Sequence, residues 1–174
     1  MINGVDVWGE IDGIVAPLAP SAICFAMQDM LLDLAIPSRL EAMGSVQAPL
    51  DAALRRLGLD DEARHRIGLA THEAVVNAIV HGNRRDPDRT VEVQLACDGE
   101  DLVIRVADQG AGFDPAGVAD PLLPENLLRP GGRGLLLMRA LMDEVGHRPG
   151  MTGGTVATLR RRLGGASPRL DPNH

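Results

Sequence analysis

The chain has 174 residues, with 17 Lys+Arg against 24 Asp+Glu, a formal net charge of −7. It contains no lysine and no tyrosine, so every basic residue is an arginine, and aromatics make up only 2%. These counts exclude a P-loop ATPase, a eukaryote-type protein kinase and a Schiff-base enzyme, each of which needs a lysine. They also argue against nucleic acid as the main partner, which asks for a basic face and stacking aromatics.

The length suggests one domain with a short extension, and 45% hydrophobic residues suffice for a full core of Leu, Val, Ala, Ile and Met. Residues 1–34 hold five acidic residues (Asp6, Glu10, Asp12, Asp29, Asp33) and no basic one. Gly13 to Met27 is uncharged, but Pro17 and Pro20 interrupt it and it is too short to span a bilayer. Arg39, the first basic residue, comes too late for the positive start of a signal peptide, so the expected location is the cytoplasm, away from membranes. Ser21 is placed to cap an apolar helix running to about Leu34. The two cysteines, Cys24 and Cys97, lie in apolar surroundings and read as buried structural thiols.

Leu34 to Met43 reads as a strand that Pro37 restricts to an edge or a bulge. Val46, Leu50, Ala53, Leu54 and Leu57 have helical spacing, and Gly58 ends that helix. A second helix starts at Asp60 or Asp61, runs to about His81 and stops at Gly82-Asn83. After the polar turn Arg84 to Arg89, Thr90 to Cys97 and Asp101 to Ala107 form a hairpin around Asp98-Gly99. Asp108 to Pro130 is a long Gly/Pro-rich loop, Gly134 to Val145 a helix, Thr155 to Leu163 a closing strand, and the tail beyond Gly164 is expected to be disordered. This order fits an α/β two-layer sandwich, with a mixed, mostly antiparallel sheet and helices on one face.

Four local features carry chemistry. Glu73 and Asn77 stand four apart on the second helix, so a carboxylate and a carboxamide share one face. That pair offers a proton acceptor and a hard oxygen of the kind Mg²⁺ prefers. Asp108 ends a strand and is followed by Gly110 and Gly112, where a backbone can approach a ligand closely. Gly132, Arg133 and Gly134 open a helix, a place where backbone N–H groups and a guanidinium can hold phosphate. Gly153-Gly154-Thr155 opens the last strand. Each feature alone is compatible with an ordinary helix face or turn.

Together, Glu-x3-Asn, a hairpin, Asp-x-Gly-x-Gly, Gly-x-Gly before a helix, and Gly-Thr on a strand resemble the boxes of the Bergerat (GHKL, histidine-kinase-like) ATP-binding fold. The strings THEAVVNAIVHGN, VADQGAGFDP, LLPENLLRPGGRGLLLMRALMDEV and GGTVATL are similar to the anti-sigma factor/serine-protein kinase family of bacterial partner-switching systems. The resemblance covers about residues 34–163, leaving 1–33 as an N-terminal extension and 164–174 as a flexible tail. It implies ATP and Mg²⁺ as cofactors, with Asn77 on the metal and Glu73 as the base toward an acceptor serine. Asp108 would recognise the adenine amino group, with Gly110, Gly112 and Thr155 shaping its pocket. Gly132, Arg133 and Gly134 would lie along the phosphates under a lid from about Asp120 to Gly131. It further implies an anti-sigma factor antagonist as substrate, a sigma factor as a second partner, and a homodimer.

His81, one turn beyond Asn77, is read as a helix-end histidine, and His72 stands where the family has a small polar residue. Arg160-Arg161-Arg162 reads as a solvated strand end. None of the five histidines precedes the domain on a phospho-acceptor hairpin, which speaks against a histidine kinase. The expected function is an ATP-dependent serine kinase acting on an anti-sigma factor antagonist. The alternative is an ATP-binding module that controls a partner by binding alone.

Overall fold

In a computed structural model of the chain, the described residues are 30–98, 100–112, 134–151 and 153–163, with the backbone alone of 8–11, 14–17 and 132–133. Strands β1 (Trp8–Ile11) and β2 (Ile14–Pro17) pair antiparallel as a small separate hairpin. The main sheet has five strands: β3 (Met30–Pro37), β4 (Thr90–Asp98), β5 (Asp101–Ala107), β6 (Glu144–Pro149) and β7 (Thr155–Arg162). Their spatial order is β3-β4-β5-β7-β6, and every pairing is antiparallel, so the sheet is simpler than the mixed one expected.

Among the described residues three α-helices complete the layer: α1 (Gly44–Arg56), α2 (Asp61–Asn77) and α3 (Gly132–Leu141). Asp60 caps α2 by accepting from the Ala63 N–H at 2.7 Å, and Asp61 and Glu62 add negative charge to its first turn. The helices bury Val46, Leu50, Leu54, Ile67, Ala70, Ala74, Val75 and Met138 against one sheet face. That face is built from cross-strand rows such as Ile36–Val91, Val93–Val106–Ala157 and Leu95–Ile104–Leu159. Period-2 alternation sends these residues inward and their neighbours to the opposite face.

Three expectations need correction. Met30 to Leu34 is strand, not the end of a helix, because these residues pair with β4 from Met30 opposite Ala96; Ser21 to Gln28 lies outside the described residues. Pro37 ends β3, which is an edge strand with a bulge between Met30 and Leu32, and Leu40 to Met43 is a 3₁₀ turn rather than strand. The last helix stops at Leu141, and Glu144 to Pro149 is the edge strand β6, paired to β7 from Glu144–Arg160 to Pro149–Thr155. The remaining boundaries agree within a few residues, with one refinement: beyond Asn77 the α2 helix widens into a π turn over Ala78–Gly82. Such turns are rare and recur at functional sites.

The arginine run on β7 is an ion-pair ladder rather than a merely solvated end. Arg160 reaches Asp98 at 3.1 Å and Asp101 at 3.6 Å, and Arg161 donates to the Leu141 carbonyl at 3.1 Å. Cys97 is half-buried at the rim of the core and forms no disulfide among the described residues; Cys24 lies outside them.

Candidate functional site

The π turn decides where the site sits. It carries the chain from Asn77 to Gly82, and Gly82 lies directly against the Asp108 carboxyl group; a β-carbon at position 82 would overlap the Asp108 side chain. Asp108 follows the last residue of β5 and is buried, with 8% exposure. Its Oδ1 accepts from the Gly110 N–H at 2.8 Å and the Thr155 N–H at 3.2 Å, while its own N–H donates to the Thr155 carbonyl at 3.0 Å. Oδ2 takes part in neither side-chain bond. Burial pushes the carboxyl above its ordinary range, outweighing the lowering by the two N–H groups and by Arg89.

Three glycines make room for this arrangement. A β-carbon on Gly110 would meet the Gly82 carbonyl, and one on Gly154 would meet the Asp108 carbonyl. Gly154 also has φ +72°, a left-handed conformation that glycine alone adopts freely. Gly112, at φ +91°, packs toward the Gly154 carbonyl.

Asn83 braces the same corner. It is fully buried; its Nδ2 donates to the Thr90 carbonyl at 2.8 Å and its Oδ1 accepts from the Gln109 N–H at 2.8 Å. Gln109 Oε1 in turn accepts from the Thr90 N–H at 2.9 Å. One side chain therefore ties the end of α2 to the start of β4 and to the turn that holds Asp108.

The other end of the site is made by α2 and α3. Gly134, buried in the first turn of α3, lies over the Glu73–Asn77 face. A β-carbon there would sit 2.8 Å from Glu73 Oε2 and 3.6 Å from Asn77 Nδ2. The N-terminal turn of α3, with its unsatisfied N–H groups, thus faces a carboxylate and a carboxamide on α2. A side chain at 134 would make the Glu73 carboxylate shift.

Of the residues singled out from sequence, Glu73, Asn77 and Gly134 meet at one end, and Asp108, Gly110, Gly112 and Thr155 meet at the other. Gly132 and Arg133 lie in α3 by their backbone, the Arg133 side chain is outside the described atoms, and so is the whole expected lid from Asp120 to Gly131. His81 is exposed, and His72 turns to α1, with Nδ1 at 3.2 Å from Gln47 Nε2. Sequence reasoning missed Gly82, Asn83 and Gln109 as parts of the site, and had Gly154 only within the Gly153-Gly154-Thr155 feature. Gly82-Asn83 was visible only as a helix stop, and its contacts with residues 26 or 28 positions later have no local signature.

Among the described residues no three His, Cys, Asp or Glu side chains gather into a metal cage. The donor set at the α2–α3 end, one carboxamide and one carboxylate, fits a hard cation that brings most of its oxygen ligands with it, as Mg²⁺ does with phosphates.

The histidine kinase-like ATPase domain family matches residues 36–161, which include every residue of both ends. The chain belongs to the histidine kinase-like ATPase family. The serine-protein kinase RsbW of Bacillus subtilis is 29% identical over 120 residues, 66% of this chain and 75% of that protein. RsbW of Bacillus licheniformis is 32% identical over 121 residues, with the same coverage of each chain. Among solved structures, the RsbU and RsbW domains of Rv1364c from Mycobacterium tuberculosis match with a TM-score of 0.53 and 27% identity. That match covers 75% of this chain and 31% of the Mycobacterium chain. The family assignment agrees with the architecture, an antiparallel open sheet with three helices on one face among the described residues. No helix among the described residues is long and apolar enough to cross a membrane.

Proposed function

We propose that this protein is an ATP-dependent serine-protein kinase that phosphorylates an anti-sigma factor antagonist in a partner-switching system. The observation that carries the reading is the juxtaposition of Glu73 and Asn77 with the first turn of α3, within residues 36–161, which match the histidine kinase-like ATPase domain family. Phosphoryl transfer needs an oriented nucleophile and neutralised charge more than covalent help. Glu73, half-buried beneath the helix end, is the base that orients the serine hydroxyl and takes up its proton. The N–H groups of Gly132 to Gly134 and the guanidinium of Arg133 hold the phosphates, doing the work that lysine does in other nucleotide folds. Mg²⁺ would be held by Asn77 and supplies charge neutralisation at the phosphates.

At the far end, Asp108 is the acceptor for the adenine amino group. Its Oδ1 is engaged by the protein, Oδ2 takes part in neither of those bonds, and Gly82, Gly110, Gly112, Gly154 and Thr155 form the walls. The protein acts in the cytoplasm, binds a sigma factor as its second partner and self-associates as a homodimer, as the resemblance implies.

The test is to incubate the protein with Mg-ATP and a candidate antagonist encoded beside it, and to look for phosphoserine by mass spectrometry, with Glu73→Ala as control. Phosphoserine on the antagonist with wild type and none with Glu73→Ala is the expected result. Tight ATP binding without phosphorylation of any native antagonist would instead establish a module that works by binding alone.

A further inference from the structure

The sheet face turned away from α1, α2 and α3 is buried all the same. On that face Ala96 and Val103 are opposite each other, with Gln94–Arg105–Thr158 in the next row and Glu92–Ala107–Val156 beyond. Ala96, Val103 and Val156 have 0% exposure and Gln94 1%, yet none of the three apolar residues joins the core formed with the helices. An open face of an antiparallel sheet meets water and is polar; this one is dry, with buried small apolar residues on either side of the polar row Gln94–Arg105–Thr158. Two polar atoms on it, Gln94 Oε1 and Glu92 Oε2, are buried without a hydrogen-bond partner. Desolvation, with Asp33 nearby, raises the Glu92 carboxyl above its ordinary range.

We infer that residues 1–29 of the chain itself cover this face. The burial exists within a single chain, so a second copy is not needed to produce it. The segment runs directly into β3, the edge strand of the same sheet, at Met30. Its 29 residues reach far beyond the roughly 20–25 Å width of five strands. It is apolar, with Trp8, Ile11, Ile14, Val15, Ile23 and Phe25, and contains a paired hairpin, β1–β2. The tail after Leu163 offers one leucine and no aromatic residue. The segment also carries Asp6, Glu10, Asp12 and Asp29 and no basic residue, which suits a face centred on Arg105. It lies outside the 36–161 span of the family match, so the cover is a feature this chain adds to the domain. A homodimer of this protein then has to use another surface or displace the segment.

Trp8 is the only tryptophan, which gives the test a direct probe. In the full chain at a concentration where it is monomeric, Trp8 emission should be blue-shifted and several-fold less quenchable by acrylamide than free tryptophan. Val103→Glu, or the milder Ala96→Glu, should move both readings to the free-tryptophan values while circular dichroism retains the fold. Should both variants unfold, a photo-activatable residue at position 158 decides: cross-links within one chain to peptides from residues 1–29 support the cover. Trp8 as quenchable as free tryptophan, Trp8 shielding that both folded variants leave unchanged, or cross-links running only between chains would each overturn it.

Discussion

The two ends of the site are built by different means. At the Asp108 end nearly every contact is made by backbone: two N–H groups on Oδ1, a carbonyl on the Asp108 N–H, and glycines packed so closely that no β-carbon fits. Asn83 and Gln109 lock that corner from behind. At the Glu73 end the groups are side chains on one helix, and α3 meets them at Gly134. A pocket made of backbone is rigid and tied to the fold. A pair of side chains on a helix face can be changed without disturbing the frame. On the proposed function, nucleotide recognition therefore depends on the fold and chemistry does not.

That separation can be broken most forcefully at Glu73. Glu73→Ala should lower the rate of serine phosphorylation about 10²–10⁴-fold, the usual worth of a positioned base. ATP affinity and melting temperature should stay close to wild type, as single-turnover kinetics and calorimetry would show. Loss of folding instead would mean that Glu73 supports the α2–α3 contact. At the opposite end, Gly154→Ala forces a β-carbon into the Asp108 carbonyl. Overpacking costs ~1–3 kcal/mol, and the left-handed backbone adds about 1–2 kcal/mol. Thermal denaturation should show a clear drop, with ATP binding lost in the same variant.

Asn83→Ala tests the brace. It strands the Gln109 N–H and the Thr90 carbonyl, at a cost of about 1–3 kcal/mol, or roughly 2–4 °C of melting temperature for each kcal/mol in a chain of this size. If the brace serves the Asp108 turn, ATP affinity falls along with stability, whereas phosphorylation at saturating ATP is spared.

The smallest effect is one of pH. Burial raises the Asp108 carboxyl, so the folded state holds its proton to higher pH than the unfolded chain does. Its contribution to stability is therefore fully present below the unfolded value and is lost as pH rises through the folded one. Ligand binding runs the other way, because an amino group needs the ionised carboxylate as acceptor. ATP affinity should weaken on acidification at a higher pH than an ordinary carboxylate would dictate. A titration of affinity that is flat down to the ordinary carboxylate range would contradict this.

The same contrast explains what was legible in the sequence. Glu73 and Asn77 declare themselves because helical spacing alone puts them together. Asp108 and its glycines stand out as a motif at a strand end. The fold class followed from the hairpin and the helix periodicity. What was hidden depended on distant contacts. Gly82 looks like a helix stop until Asp108 is packed on it, and Gly154 like a turn until its neighbour is known. Strand β6 escaped because Glu-Val-Gly-His-Arg-Pro has one apolar residue facing the core and sits at the sheet edge, where alternation fades. Met30 to Leu34 misled in the opposite sense. An apolar run beside an edge reads equally as helix or strand, and only pairing with β4 decides it.

The central claim is tested most directly by measuring ATP affinity calorimetrically for Asp108→Asn and Glu73→Ala beside wild type, at neutral pH with Mg²⁺. Replacing a charged acceptor by a carboxamide should cost about 1.5–3 kcal/mol of binding, a loss of roughly 10- to 150-fold, with no fall in melting temperature because a buried charge is removed. Glu73→Ala should bind ATP as wild type does. Wild-type affinity in Asp108→Asn, or a loss of affinity in Glu73→Ala equal to that in Asp108→Asn, would contradict the division of the site into a recognising end and a reacting end.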